Sequence, residues 1–179
     1  MQVLIAEDKL RETIDRLARQ IEETYAGRKL TIIGLLLGSV VFLADLVRRI
    51  SIPYELEMVS SRQPTGTSGR PGPLVINPDV LAPIVEGRDV LVVDDVFDTG
   101  ETLWELIPQL DDLGAARVRS VVLLVKQGRR RAPVQPDFKA FDIPDLFVVG
   151  YGMDYLGKYR HLPYVAALDP TELAAEAGP

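Results

Sequence analysis

The chain of 179 residues has no cysteine and a single histidine. The first absence excludes disulfides, thiolate metal sites and a cysteine nucleophile, and removes any need for an oxidising compartment. The second excludes a multi-histidine metal centre. Long apolar runs are missing too. The longest uncharged stretch lies between Lys29 and Asp45 and is broken by Gly34, Gly38 and Ser39. It is too short to cross roughly 30 Å of hydrocarbon. The N-terminus, MQVLIAEDKL, has no basic region ahead of an apolar run, so it does not read as a targeting segment. The expectation is a soluble, cytoplasmic protein with no membrane partner. Positive charge is not in excess: 20 Lys and Arg stand against 26 Asp and Glu, a net charge of −6. That balance argues against nucleic acid as a partner. What is present is an ordinary globular composition, 47% hydrophobic and 26% charged, and one domain over residues 1–179 is expected.

Leu10, Ile14, Leu17, Ile21 and Tyr25 recur at helical spacing, and Gly27 supplies a stop. Residues 30–36, LTIIGLL, form a continuous apolar run, as in a strand covered on both faces. Leu37-Gly38-Ser39 reads as a turn and residues 40–50, VVFLADLVRRI, as a helix. Residues 54–59 alternate as a second strand. Residues 61–73 hold three glycines and three prolines, which marks a surface loop rather than a domain linker. Further strands are expected at 89–93, 118–125 and 146–149, with a helix over 102–113 that carries the only tryptophan, Trp104. Residues 127–135 read as a basic turn. The tail after Leu168 reads as a short or frayed helix. Strands alternating with helices predict an α/β fold, a mainly parallel twisted sheet flanked by helices. Ligands in such sheets sit at the carboxyl ends of the strands.

The segment 90–103, VLVVDDVFDTGETL, carries the chemistry. An apolar strand runs into Asp94 and Asp95. Asp98 follows, and Thr99-Gly100-Glu101-Thr102 opens a helix. A helix N-terminus after a glycine turn binds phosphate through its free backbone N–H groups. Thr99 and Thr102 can add hydroxyl donors. Carboxylates beside a phosphate ligand imply a divalent cation, Mg²⁺ being the usual one. Plain capping acids and an ordinary turn are the bland alternative.

The stretch VLVVDDVFDTGET resembles the phosphoribosyl-pyrophosphate signature of type I phosphoribosyltransferases. Three further segments resemble the hypoxanthine-guanine branch: LLLGSVVFLADLVR at 35–48, LLVK ending at Lys126, and FDIPDLFVVGYGMDYLGKYRHLPYVAAL at 141–168. The resemblance implies the type I fold, with a small hood formed by the chain ends (roughly 1–10 and 140–179) and a closing loop at 61–73. It implies transfer of a 5-phosphoribosyl group from phosphoribosyl pyrophosphate to hypoxanthine or guanine, giving IMP or GMP and pyrophosphate, with Mg²⁺ as cofactor. A homodimer or homotetramer is implied as well.

Residue by residue, the resemblance places the donor's 5′-phosphate on Asp98, Thr99, Gly100, Glu101 and Thr102. Its pyrophosphate falls on Leu37, Gly38 and Arg160, and its ribose on Asp94 and Asp95. Those two acids and Asp154 would hold the metal. Lys126, Phe147, Val148 and Asp154 would form the purine site: Phe147 stacks, the Val148 backbone reads the purine edge, and Lys126 donates to the 6-oxo group. Asp98 would be the catalytic acid/base at purine N7. Two positions depart from the family pattern. Leu37 stands where a Lys or Arg is usual, and Ser61-Arg62 where a Ser-Tyr pair is usual. They keep alive an alternative, a binding or regulatory protein of this fold with weakened catalysis. His161 reads as structural or surface, and Arg129, Arg130 and Arg131 as a solvated turn.

Overall fold

The computed structural model describes residues 1–60, 74 and 76–176. Its centre is a five-stranded sheet in which every pairing is parallel. The strands are β2 (Leu30–Leu36), β3 (Tyr54–Ser60), β4 (Asp89–Phe97), β5 (Arg117–Lys126) and β6 (Phe138–Ile143), in the order β3-β2-β4-β5-β6.

The apolar runs explain the layering. Alternate residues of one strand face opposite sides of a sheet. Ile32, Leu91, Val93, Val121 and Leu123 pack to one side, against Leu10, Ile14, Leu17 and Ile21 of α1 (Glu7–Tyr25) and Phe42, Leu43 and Leu46 of α2 (Val40–Val47). Ile33, Leu35, Val90, Val92 and Val122 pack to the other. There they meet Leu81 and Val85 of α3 (Pro78–Val85) and Leu103, Leu106 and Leu110 of α4 (Glu101–Asp112). Each such side chain contributes about 1.5–3 kcal/mol on burial, so both faces are strongly committed.

Both chain ends build a second, three-stranded antiparallel sheet. Its strands β1 (Gln2–Ile5), β7 (Phe147–Val149) and β8 (Val165–Leu168) lie in the order β1-β8-β7. A final helix, α5 (Pro170–Glu176), follows. Tyr151, just after β7, donates its hydroxyl to the Asp45 carboxylate on α2 and so ties this sheet to the main one.

Several boundaries differ from those read in the sequence. β4 continues to Phe97, so Asp94 and Asp95 lie within the strand rather than beyond it. α2 stops at Val47, with Arg48 as its cap. Strands β1, β6 and β8 and helix α3 are additional. β1 and β8 are four residues each, too short for a two-residue period to stand out. α3 has Pro83 inside it, but its start is marked: the Asn77 side chain accepts from the Asp79 N–H at 3.1 Å, and Pro78 takes the first turn. The expected closing loop at 61–73, with Ser61 and Arg62, lies outside the described residues. Among the described residues no helix is long and apolar enough to cross a membrane.

Candidate active site

The chain leaves β2 toward β3 on one side and returns to β4 on the other, so the sheet's switch point lies between β2 and β4. A cleft of about 610 Å³ opens there. Leu37 and Gly38 line it from the β2–α2 turn, Asp94 and Asp95 from β4, and Lys126 from the end of β5. Phe147, Val148, Asp154 and Arg160 enter from the small sheet and the segment after it. Residues far apart in sequence thus meet as the motifs implied.

Beside the cleft lies a cavity of about 60 Å³ at the start of α4, lined by Asp94, Asp98, Thr99, Gly100 and Thr102. Gly100 has φ 85°, a left-handed conformation that suits glycine and turns the chain into the helix. The turn is pinned from outside, because Arg131 and Ala132 donate their N–H groups to the Thr99 carbonyl at 2.9 and 3.0 Å. Glu101 does not line this cavity and its side chain is exposed. Any part it plays in holding a phosphate is through its backbone.

The end of the cleft at Gly38 and Arg160 is set by close packing. A Cβ on Gly152 would fall 2.5 Å from the Gly38 carbonyl oxygen. Leu37 is 61% exposed and presents an apolar side chain to the cleft. Arg160 approaches Asp154 at 2.7 Å and donates to the Gly152 carbonyl at 2.6 Å.

Burial, reinforced by the charge of Asp95, pushes the Asp94 carboxyl well above the ordinary carboxylate range. Two adjacent carboxylates with no cation paired to them among the described residues are suited to a hard divalent ion, and their all-oxygen chemistry fits Mg²⁺. The three-acid set implied by the sequence is not assembled. Asp154 is occupied by Arg160 and by the Gly157 N–H at 2.8 Å. Among the described residues no group of three His, Cys, Asp or Glu side chains could hold a metal. Mg²⁺ is normally held by one or two carboxylates, substrate phosphates and water, so the Asp94–Asp95 pair still fits it.

At the other end, the Lys126 ammonium sits between two carboxylates, 3.7 Å from Asp98 and 3.8 Å from Asp145. Phe147 is 40% exposed, and its ring meets Tyr155 edge-on with centroids 5.1 Å apart. β7 is an edge strand of its sheet, so one side of the Val148 backbone is not taken by a neighbouring strand. In the basic turn Arg130 and Arg131 are exposed, as a solvated turn requires, but Arg129 is engaged. Arg129 donates from Nε to Asp98 at 2.8 Å and lies 3.5 Å from Asp145. Arg129 and Asp145 were both missed in the sequence. The available signals were an Arg three residues past Lys126, after a glycine, and an Asp two residues before Phe147. His161 lines a separate cavity with Tyr151 and Arg49.

Residues 5–156 match the phosphoribosyl transferase domain. The chain belongs to the phosphoribosyltransferase family. Within it, the chain is 37% identical over 166 residues to the hypoxanthine-guanine phosphoribosyltransferase of Streptococcus pneumoniae, covering 93% of this chain and 92% of that one. It is 38% identical over 168 residues to the bifunctional protein TilS/HprT of Listeria monocytogenes, covering 94% of this chain and 26% of that protein. The chain therefore spans about a quarter of that relative's length. In structure it is similar to a hypoxanthine phosphoribosyltransferase of Trypanosoma cruzi solved with its product IMP. The TM-score is 0.85 at 31% identity, over 100% of this chain and 96% of that one.

Proposed function

We propose that this phosphoribosyltransferase moves the 5-phosphoribosyl group of phosphoribosyl pyrophosphate to N9 of hypoxanthine or guanine, giving IMP or GMP and pyrophosphate. One observation carries the reading. An acidic pair beside a helix N-terminus shares one cleft with a lysine and an exposed aromatic ring, in a chain of this family. The first half suits a phosphorylated sugar and the second a flat, polar base.

The donor's 5′-phosphate would sit at the N-terminus of α4, on the N–H groups and hydroxyls of residues 98–102. Asp94 and Asp95 would face the ribose hydroxyls and hold Mg²⁺, which supplies positive charge to the pyrophosphate when bound. Arg160 would grip the leaving pyrophosphate with two N–H groups. The base would lie on Phe147, a contact worth about 1–3 kcal/mol. Lys126 would donate to its 6-oxo group and the Val148 backbone would read its edge.

As N9 forms its bond to C1′, the bond from C1′ to the pyrophosphate oxygen breaks and both electrons leave with pyrophosphate. The N7 proton of the base passes to Asp98. Water in the cleft would compete for the sugar, so closure around the donor is required.

The test is direct. Purified protein with phosphoribosyl pyrophosphate, Mg²⁺ and hypoxanthine should release one pyrophosphate per IMP formed. No nucleotide from either hypoxanthine or guanine would overturn the reading.

A further inference from the structure

Four side chains at the base end form a closed ring of alternating charge. Arg129 bonds Asp98 at 2.8 Å and faces Asp145 at 3.5 Å. Lys126 faces the other oxygens of the same two carboxylates, Asp98 Oδ2 at 3.7 Å and Asp145 Oδ1 at 3.8 Å. The members come from four separate places: the end of β4, the end of β5, the turn after β5 and the segment between β6 and β7. Lys126 is 13% exposed, the most covered of the four. The turn bearing Arg129 is also fastened by backbone bonds from Arg131 and Ala132 to Thr99, the residue after Asp98.

We propose that Arg129 and Asp145 are positioning residues that set Asp98 and Lys126 side by side before a base arrives. This rests on the function proposed above and names how the same site selects its base. An ammonium has three N–H donors. Two carboxylates flanking Lys126 draw two of them sideways and leave the third for the cleft. Asp98, held through Oδ1 by Arg129, keeps Oδ2 on the Lys126 side. The pair then presents one donor and one acceptor to the base. That pattern fits a heterocycle with an exocyclic oxygen beside a ring N–H and opposes one with an exocyclic amine. Preset geometry of this kind lowers what must be ordered on binding. Asp145 acts on recognition through Lys126, whereas Arg129 acts on the chemical step through Asp98.

Steady-state kinetics of Asp145→Asn and Arg129→Ala, with base and donor varied separately, tests this. Asp145→Asn should raise KM for hypoxanthine at least roughly tenfold, with KM for the donor and kcat within about threefold. Asp145→Glu should recover most of that loss. Arg129→Ala should lower kcat at least roughly tenfold, with Arg129→Lys intermediate. A purely structural part would raise both KM values together and lower Tm, and would overturn the proposal. So would unchanged kinetics in both variants when the wild type is active. A substrate-free readout separates this failure from failure of the functional reading. The side-chain Nε–H resonance of Arg129 should be visible in the unliganded wild type and lost in Asp98→Asn. A wild type inactive on every 6-oxopurine contradicts the function. A missing Arg129 resonance contradicts the ring itself.

Discussion

Gly38 stands against Asp95 so closely that a Cβ on the glycine would fall 1.7 Å from the Asp95 carboxylate. The β2–α2 turn and the end of β4 are therefore in backbone-to-side-chain contact at the centre of the cleft. Gly38→Ala must displace Asp95 or the turn, and both line the cleft proposed to hold the donor. The variant should fold, since the packed faces of the sheet are untouched, yet KM for phosphoribosyl pyrophosphate should rise at least roughly tenfold, about 1.4 kcal/mol. Kinetics with the donor varied check this, and an unchanged KM would show that Asp95 moves freely.

Leu37 bears on the same end of the cleft. Arg160 is the only cation there among the described lining residues, and it already pairs with Asp154. A pyrophosphate needs positive charge, whichever segment supplies it. Leu37→Lys adds an ammonium at an exposed position that lines the cleft. KM for the donor should fall several-fold, more at low salt than at high salt. A rise in KM would mean that the site depends on an apolar side chain there.

Asp98→Asn preserves size and removes the carboxylate proposed to accept the N7 proton. It should lower kcat by roughly 10²–10⁴ while donor affinity changes far less. Rapid-quench measurement of a single turnover separates this chemical step from product release. A near-normal rate would remove Asp98 from the mechanism.

Tyr25 provides a stability test away from the cleft. It is 1% exposed, its hydroxyl has no hydrogen-bond partner among the described residues, and burial pushes its pKa up from 10.0 to about 12. Below pH 10 both folded and unfolded forms keep the proton. Between pH 10 and about 12 the unfolded chain releases it while the folded chain retains it, so stability falls as pH rises, by about 2–3 kcal/mol across the window. Tyr25→Phe removes that loss. Thermal melts of variant and wild type should agree near neutrality and diverge above pH 10 in favour of the variant. Parallel curves would contradict the burial argument.

Much of this arrangement was legible in the sequence. The continuous apolar run at 30–36 marked a strand buried on both faces, because helices on each side of a sheet make that pattern stable. Thr99-Gly100 marked the turn that opens α4, and the acids before it marked residues that line the cleft. What escaped depends on the third dimension. Arg129 looks like any exposed arginine until the turn after β5 folds back onto Thr99. Asp145 looks like a loop acid until the segment before β7 reaches Lys126. The resemblance that implies a metal role for Asp154 does not show its pairing with Arg160. Ion pairs between distant segments have no local period to betray them.

Lys126 is the residue proposed to donate to a 6-oxo group. An ammonium has no acceptor, so a 6-amino purine would set donor against donor at a lysine only 13% exposed. The most direct measurement is the ratio of kcat/KM for hypoxanthine to that for adenine in the wild-type protein. The predicted ratio is at least roughly 10³–10⁵, the range for sites built to hydrogen-bond one substituent. Adenine turned over as well as hypoxanthine, or better, would contradict it.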